Sequence, residues 1–174
     1  MRVIVQRSGE ASCVVSNKCV GHIKSGLMVL VGFTLGDDSN TIKYLVNKIV
    51  NLRIFDDCNG VMNKSILDVG GEILSISQFT LYADTKKGNR PSYVNALGGD
   101  KALPLYEEFN KELSKYVKVE TGVFGADMEI SFTNIGPITI SLEINKRKYR
   151  EIKVISTMFS FFFFVNTSIR DIIR

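Results

Sequence analysis

The sequence predicts a single β-rich α+β domain in which a mostly antiparallel sheet is accompanied by two main helices. The length of 174 residues is that of one domain. With 45% apolar and 23% charged residues, the composition is that of a globular chain with a buried core. Most apolar segments alternate with a period of two and are joined by short connections, which favours antiparallel neighbours. Only two segments repeat at three- and four-residue steps.

Four strands are predicted before the first helix. Residues 2–8 alternate aliphatic with polar side chains and form the first strand. Residues 11–23 form two strands in a hairpin around Ser16 and Asn17, whose short polar side chains tolerate a tight turn. Residues 26–33 are nearly all apolar, which is typical of a central strand covered on both faces.

Two amphipathic patterns predict the helices. Capping residues at 37–40 precede a first helix that ends near Arg53. Its apolar stripe comprises Ile42, Leu45, Val46, Ile49 and Leu52. The second helix is expected to hold Pro104 in its first turn, where a proline loses no helical bond. Its stripe comprises Ala102, Leu105, Phe109, Leu113 and Tyr116.

Three further strands complete the predicted domain, at residues 117–120, 128–133 and 138–144. A turn at 56–60 ends in glycine and precedes the central part of the chain. The loop at 85–99 is rich in Gly, Asn, Lys and Pro, and its length favours a functional explanation.

Residues 145–174 depart from this pattern and are expected to form an extension to a domain at residues 1–144. The extension is first basic and then Phe-rich, and its first cations are Lys146, Arg147, Lys148, Arg150 and Lys153. The apolar run at 158–165 is shorter than the ~20 residues of a spanning helix. An accessory strand or packed appendage is therefore favoured over a membrane contact, and no stable membrane association is expected.

Cysteine and histidine usage bears on compartment and metal binding. Three cysteines, an odd number, without an N-terminal signal peptide argue against a disulfide framework and favour a reducing, cytoplasmic location. Cys13, Cys19 and His22 match no structural zinc spacing and lack a fourth ligand, so no metal site is expected. A Ser-His-Asp mechanism would depend on His22, the single histidine.

The stretch 77–84 is the strongest candidate for a site. It ends an apolar run that begins at Ile73, and strand alternation places Gln78, Thr80 and Tyr82 on one face. An amide and a hydroxyl on a buried face need hydrogen-bond partners, which a substrate can supply. The alternative is a strand whose polar end faces solvent.

Three other segments accompany this stretch: Asn-Arg-Pro-Ser at 89–92, Phe-Gly-Ala-Asp-Met at 124–128 and Asn-Ile-Gly-Pro-Ile-Thr-Ile at 134–140. In this order they resemble the D-aminoacyl-tRNA deacylase family, from residue 1 to about 143. The resemblance implies a barrel-like sheet, no cofactor, and a homodimer with its site at the subunit interface. It implies hydrolysis of the ester between a D-amino acid and the terminal ribose of tRNA, which frees the tRNA.

The resemblance also implies roles for individual residues. Ser77, Gln78, Phe79 and Thr80 are expected at the reacting centre, where the Phe79 and Thr80 N–H groups stabilise the oxyanion. The Thr80 hydroxyl is expected to position the ester or the water, which is favoured over a role as nucleophile because no base activates it. Phe79 stacks near the terminal adenosine or walls off the aminoacyl pocket, and Phe124 contributes to substrate binding. The ribose 2′-hydroxyl assists in place of a side-chain base.

Gly136 and Pro137 are expected to supply chirality. By resemblance this step is cis and enters the partner subunit's pocket, where it leaves no room for an L side chain and only glycine slips through. From the residues alone the step is predicted trans, because only ~5% of X-Pro bonds are cis. Arg7 is expected to brace this loop. Cations beside the pocket are expected to contact tRNA phosphates: Lys86, Lys87 and Arg90.

Two alternatives stay open from the sequence. A related deacylase with a trans Gly-Pro step would accept a small L-amino acid such as alanine. A nucleic-acid-binding protein could keep the same fold without deacylation, and the net charge of +4 permits such a partner.

Overall fold

The computed structural model describes residues 1–144. The expected extension at 145–174 lies outside the described residues, so its predicted appendage and the domain boundary stay predictions. Within the described range the chain forms, in order, β1 (Arg2–Val15), β2 (Lys18–Ile23), β3 (Gly26–Gly32), α1 (Ser39–Val50), β4 (Phe55–Asp56), β5 (Met62–Lys64), α2 (Ile66–Val69), β6 (Glu72–Ser77), α3 (Gly99–Leu113), β7 (Val119–Thr121) and β8 (Glu129–Glu143). Between β6 and α3 lies a 3-10 helix, Phe79–Tyr82, called here the 3-10 turn.

A six-stranded sheet organises these elements. Its order is β2-β1-β3-β6-β7, and β8 pairs with the other edge of β1. β1 is antiparallel to β2, β3 and β8, so the prediction of a mostly antiparallel, barrel-like sheet is confirmed. β6 departs from the expectation of antiparallel neighbours, because it lies parallel to both β3 and β7. The chain between β3 and β6 contains α1 and α2, and a crossover of this kind is what parallel strands require.

β1 and β8 are longer than the strands predicted for them. β1 is one strand where separate strands at 2–8 and 11–16 were expected, and β8 joins the predicted strands at 128–133 and 138–144. The join in β8 is a bulge. Gln6 pairs with Thr139 and Ser8 pairs with Asn134, so four residues of β8 lie opposite the single residue between them. These four, residues 135–138, are called here the Gly-Pro bulge.

α1 and α3 pack against each other and bury most of their predicted stripes. Leu52, beyond the end of α1, and Leu105 are only half-buried, and Tyr106 is the buried residue of α3 in place of Leu105. α1 begins at the predicted cap, where the Asp38 carboxylate accepts a hydrogen bond from the Thr41 N–H at 3.0 Å. α3 departs from its prediction in two respects. Pro104 is its sixth residue, not in the first turn, and therefore leaves the Asp100 carbonyl without its helical donor. Tyr116 lies beyond the end of α3 and is 48% exposed.

The short helix α2 was not expected from the sequence. A capping box holds it: the Ser65 N–H and hydroxyl donate to the Asp68 carboxylate, each at 2.7 Å, and the Asp68 N–H donates back to Ser65 Oγ at 3.3 Å. Gly70 ends the helix in the left-handed conformation. α2 therefore turns the chain directly into β6, the strand that leads to the candidate site.

Candidate active site

The candidate site begins where β6 ends. The Gln78 N–H donates to the Val31 carbonyl at 2.7 Å, which extends the parallel ladder by one residue. The chain then enters the 3-10 turn, so the predicted strand alternation through Thr80 and Tyr82 is wrong. Gly32 makes this turn possible, because a Cβ there would lie 2.8 Å from the Gln78 carbonyl oxygen. The absence of a side chain on β3 therefore lets the turn fold back against the sheet.

Several polar groups at the start of the 3-10 turn take no part in its backbone hydrogen bonds. The Gln78 side-chain amide donates to Thr80 Oγ1, and Gln78 does not cap the turn. Among residues 1–144, no carbonyl accepts a hydrogen bond from the Phe79 N–H or the Thr80 N–H. Two amide donors and an oriented hydroxyl are thus available at one place, an arrangement suited to a negatively charged oxygen.

A cavity of about 630 Å³ lies against this strand end. Ser77, Gln78, Phe79 and Phe124, all predicted from the sequence, line it, whereas Thr80 is not in the lining and is connected to it through Gln78. The remaining lining residues come from the end of β3, from β6, the loop before α3, α3 itself, the segment before β8 and the start of β8: Val31, Gly32, Phe33, Ile76, Tyr93, Ala96, Leu97, Gly98, Gly99, Ala102, Gly125, Ala126, Asp127, Met128 and Ile130. Of these, Phe33 and Tyr93 are aromatic residues that the sequence did not assign to the site, and Tyr93 is the exposed one.

The Gly-Pro bulge does not line this cavity in its own chain. Its Gly136–Pro137 peptide bond is cis, and Gly136 has a φ of +123°, a conformation that favours glycine. Asn134 fixes the bulge from inside, because its Oδ1 accepts from the Ile138 N–H at 2.9 Å and its Nδ2 donates to Thr139 Oγ1 at 3.0 Å. The bulge is therefore held in a defined conformation and is exposed outside the lining of the cavity.

Arg7 braces the bulge from the neighbouring strand. Its Nε donates to the Ile135 carbonyl at 3.1 Å. Its Nη1 donates to the Ile54 carbonyl and to the Asp56 carboxylate, both at 3.1 Å. The Arg7 side chain is only 12% exposed, so the guanidinium is held between the bulge and the chain around β4. The bracing contact predicted from the sequence is present, and a role of Arg7 in substrate binding stays a prediction.

The three cations of the long loop lie on its exposed part. Lys86, Lys87 and Arg90 are all exposed. The loop is nevertheless anchored, because Asp84 and Ser92 exchange backbone hydrogen bonds at 2.8 and 2.9 Å. Further anchors are the Leu97 N–H to the Phe33 carbonyl at 2.9 Å and the Thr34 hydroxyl to the Asn95 carbonyl at 2.6 Å. The cations therefore project from a loop tied to the cavity wall, and their contact with phosphates stays a prediction.

Two buried tyrosines support the site from behind. The Tyr106 hydroxyl of α3 donates to the Ser75 carbonyl in β6 at 2.8 Å, and its ring lies 5.8 Å from that of Phe124. Burial raises the pKa of Tyr106, which keeps this hydroxyl a neutral donor. Burial, assisted by Asp37, also raises the pKa of Tyr82 in the 3-10 turn. The spacing of Tyr106 does not distinguish it from an ordinary core residue, whereas Tyr82 lies in the stretch that the sequence singled out.

Arg2 holds the far end of the 3-10 turn. Its Nη1 donates to the Leu81 carbonyl at 2.8 Å, and its guanidinium lies 4.7 Å from the centre of the Tyr82 ring. Its Nη2 also pairs with Glu143 at the end of β8, at 3.1 Å. The turn is thus fixed on the side opposite Gln78.

Among the described residues, neither the cysteines nor the histidine line the cavity, although Cys13 belongs to the same core cluster as the lining residue Ile76. Cys13 is buried and burial raises its pKa, while Cys19 and Cys58 are exposed. His22 is exposed on β2 and contacts Glu10 at 2.8 Å. Within residues 1–144, no three His, Cys, Asp or Glu side chains are grouped as metal ligands would be. No helix in the same part of the chain combines the length and the apolarity needed to span a membrane.

The described residues form an α+β domain with a nearly closed, barrel-like sheet, which is the fold of the D-aminoacyl-tRNA deacylases. The sequence model of the D-Tyr-tRNA(Tyr) deacylase family matches residues 4–143, so the chain belongs to that family, and the resemblance is confirmed. Among solved structures, a c-Myc DNA unwinding element binding protein is 38% identical with a TM-score of 0.79, over 83% of this chain and 99% of that one. A probable eukaryotic D-amino acid tRNA deacylase shares the fold at 20% identity and a TM-score of 0.70, over 82% of this chain and 98% of that one.

Proposed function

We propose that this protein hydrolyses the ester bond of D-aminoacyl-tRNA in the cytoplasm, releasing free tRNA and the D-amino acid. One observation carries the proposal: in a member of this family, two acceptor-free amides and the Gln78–Thr80 pair meet at the end of β6, beside a cavity of nucleoside size. Acyl transfer to water needs donors placed for the oxygen that becomes negatively charged. The Phe79 and Thr80 N–H groups at the end of β6 are donors of this kind.

In the proposed reaction, a water oxygen attacks the ester carbonyl, and the carbonyl oxygen becomes the oxyanion that accepts from the Phe79 and Thr80 N–H groups. The bond between the acyl carbon and the ribose oxygen then breaks. The ribose oxygen takes one proton of the attacking water, the other proton is released to solvent, and the amino acid leaves as a carboxylate. The Thr80 hydroxyl, oriented by Gln78, positions the ester or the water. The neighbouring ribose 2′-hydroxyl takes the place of a side-chain base, in keeping with a lining that, among the described residues, holds no histidine or cysteine and has Asp127 as its single carboxylate.

We assign the selection of D- over L-amino acids to a second copy of the chain. The Gly-Pro bulge is exposed, braced by Arg7 and Asn134, and absent from its own cavity, which supports insertion into the cavity of a partner subunit. Inserted there, its backbone would clash with an L side chain, whereas a D side chain points elsewhere. Glycine has no side chain to exclude, so glycyl-tRNA, including glycine mischarged on tRNA-Ala, is a second expected substrate.

The test compares hydrolysis of D-Tyr-tRNA, L-Tyr-tRNA, L-Ala-tRNA and Gly-tRNA by the full-length protein, with and without EDTA. Rapid, EDTA-resistant loss of the D-tyrosyl and glycyl esters alone is expected. Loss of the L-alanyl ester would instead favour the deacylase for small L-amino acids. A folded, dimeric protein that hydrolyses none of the four esters would refute the proposal.

DNA binding is the second candidate function, favoured by the relative at 38% identity, a c-Myc DNA unwinding element binding protein. Seven of the 22 basic and two of the 18 acidic residues lie in 145–174, so residues 1–144 carry a net charge of −1. An electrostatic affinity for DNA would therefore depend mainly on the extension. Salt-sensitive DNA binding without hydrolysis of any aminoacyl-tRNA would support this candidate over the first.

A further inference from the structure

An exposed aromatic pair stands at the rim of the cavity. The rings of Phe79 and Tyr93 meet edge to face, with centroids 4.9 Å apart and planes inclined by 71°. Phe79 is 57% exposed and Tyr93 is 39% exposed, although both line the cavity. Other lining residues, such as Phe33, Ile76 and Ala102, are buried and form its floor. Two large rings left open to solvent at the entrance are available for a flat, partly apolar ligand.

The position of the pair relative to the proposed reacting centre indicates which part of the substrate reaches it. With the ester held at the Phe79 and Thr80 amides, as proposed above, the terminal adenosine enters the cavity, whose volume of about 630 Å³ is in the usual range for a small-molecule site. The preceding nucleotide then has to cross the rim. Because the two ring planes are inclined by 71°, one flat base cannot stack on both rings, but two successive bases can stack on one ring each.

We propose that Tyr93 is the stacking platform for the base of the nucleotide that precedes the terminal adenosine of the tRNA, while Phe79 faces that adenosine. The inference rests on the proposed function and adds a second nucleotide subsite to it. Unpaired bases at RNA ends are commonly recognised by stacking on aromatic side chains. The ligand class is therefore the single-stranded 3′ end of the tRNA.

The surroundings of Tyr93 favour a binding site over a chance packing contact. The loop is anchored on both sides of the ring, by the Asp84–Ser92 pair and by the Leu97 N–H to the Phe33 carbonyl, so the platform is ordered before ligand arrives. The same loop carries the exposed cations Lys86, Lys87 and Arg90. Aromatic platforms beside cations are the usual composition of single-strand nucleic-acid sites.

The experiment measures KM and kcat for three D-tyrosyl esters: those of adenosine, of the dinucleotide CpA, and of a CpA analogue that lacks the cytosine base. Comparing CpA with the abasic analogue isolates stacking from the added phosphate. Tyr93→Leu removes the ring and keeps apolar bulk. Tyr116→Leu makes the same change at an exposed tyrosine outside the cavity lining, and Tyr93→Phe tests whether the ring suffices.

Wild-type protein should have a KM about tenfold lower for the CpA ester than for the abasic ester, the effect of stacking one base. Tyr93→Leu should reduce this difference to less than about twofold, and any effect on the adenosine itself cancels because both esters carry that adenosine. Tyr93→Phe and Tyr116→Leu should keep the difference. An unchanged difference in Tyr93→Leu, an equal loss in Tyr116→Leu, or no difference in the wild type would overturn the inference.

Failure of the proposed function gives a separate result. If the wild type hydrolyses none of the esters, the deacylase proposal fails, and equilibrium binding of uncharged CpA and its abasic analogue still tests the subsite. Tighter binding of CpA that depends on Tyr93 would support the platform alone. Equal binding of the two ligands would refute it.

Discussion

Replacing Gly32 by alanine should displace the 3-10 turn that carries the proposed reacting groups. A Cβ at this position would lie 2.8 Å from the Gln78 carbonyl oxygen and 3.4 Å from Leu81 Cβ. Since ordinary contacts begin at 3.4 Å, the carbonyl has to retreat by about 0.6 Å. The obstructing atom belongs to the backbone, so no change of rotamer relieves the clash. The turn has to move, and the Phe79 and Thr80 amides move with it.

The kinetic effect of Gly32→Ala should exceed its effect on stability. Misplacing reacting groups by about 1 Å lowers rates about 100-fold, so kcat on D-Tyr-tRNA should fall at least about tenfold. Overpacking costs about 1–3 kcal/mol of unfolding free energy, and each kcal/mol lowers Tm by about 2–4 °C in a chain of this size. Gly71→Ala is the matched control, because its Cβ would lie 2.9 Å from Ile66 Cγ1 at the opposite end of β6.

Single-turnover hydrolysis of D-Tyr-tRNA and thermal unfolding would be measured on both variants. Gly71→Ala should lose stability to a similar extent while keeping kcat within about threefold of the wild type. The reasoning is refuted if Gly32→Ala retains wild-type kcat, or if the two variants lose activity equally at matched stability. In the second case the loss would reflect general destabilisation and not displacement of the turn.

Three further predictions address the bulge, the histidine and acid stability. Arg7→Gln removes charged hydrogen bonds to the bulge, so the ratio of D-Tyr-tRNA to L-Tyr-tRNA hydrolysis should fall about tenfold; an unchanged ratio would contradict the bracing role. His22→Gln should leave kcat/KM and its profile from about pH 6 to 8 unchanged, because this side chain lies outside the cavity lining, and a lost inflection would assign it to catalysis. The Ser65 N–H and hydroxyl donate hydrogen bonds that lower the pKa of Asp68. These bonds stabilise the folded protein fully above the ordinary aspartate pKa of about 4, and this stabilisation is lost as pH falls through the lower pKa of Asp68 in the folded state. Asp68→Asn should therefore lower Tm at neutral pH and flatten its decline below about pH 4, and parallel Tm curves for both proteins would contradict this.

Local signals in the sequence predicted much of the fold. Asp38 caps α1 as expected, and Ser16 and Asn17 turn the first hairpin with φ of 47° and 62°, as short polar residues do at such turns. The parallel neighbours of β6 were not predictable in the same way, because they depend on where the chain returns after a long crossover. The bulge in β8 was interpreted as a break between strands, since glycine and proline interrupt the pattern whether a strand ends or bulges.

The candidate site was predictable only in part for the same reason. The polar cluster at 77–84 marks the end of a strand within a short stretch, so sequence located it. Its conversion into a 3-10 turn depends on Gly32, which is distant in sequence and gives no local signal. Tyr93 lies in an irregular loop and Tyr106 in an ordinary helical stripe, so only the folded chain reveals that both act on the cavity wall.

The pairing of β1 has a consequence for the order in which the domain is built. β2 and β3 follow β1 closely in the chain and pair with one of its edges. The other edge pairs with β8, the last strand of the domain, where Arg2 lies opposite Glu143. During synthesis the first strand therefore keeps one edge open until nearly the whole domain has been made. Open edges invite pairing with other chains, and closure by distant residues is slow. The nascent chain is thus most vulnerable to aggregation just before its last strand is added.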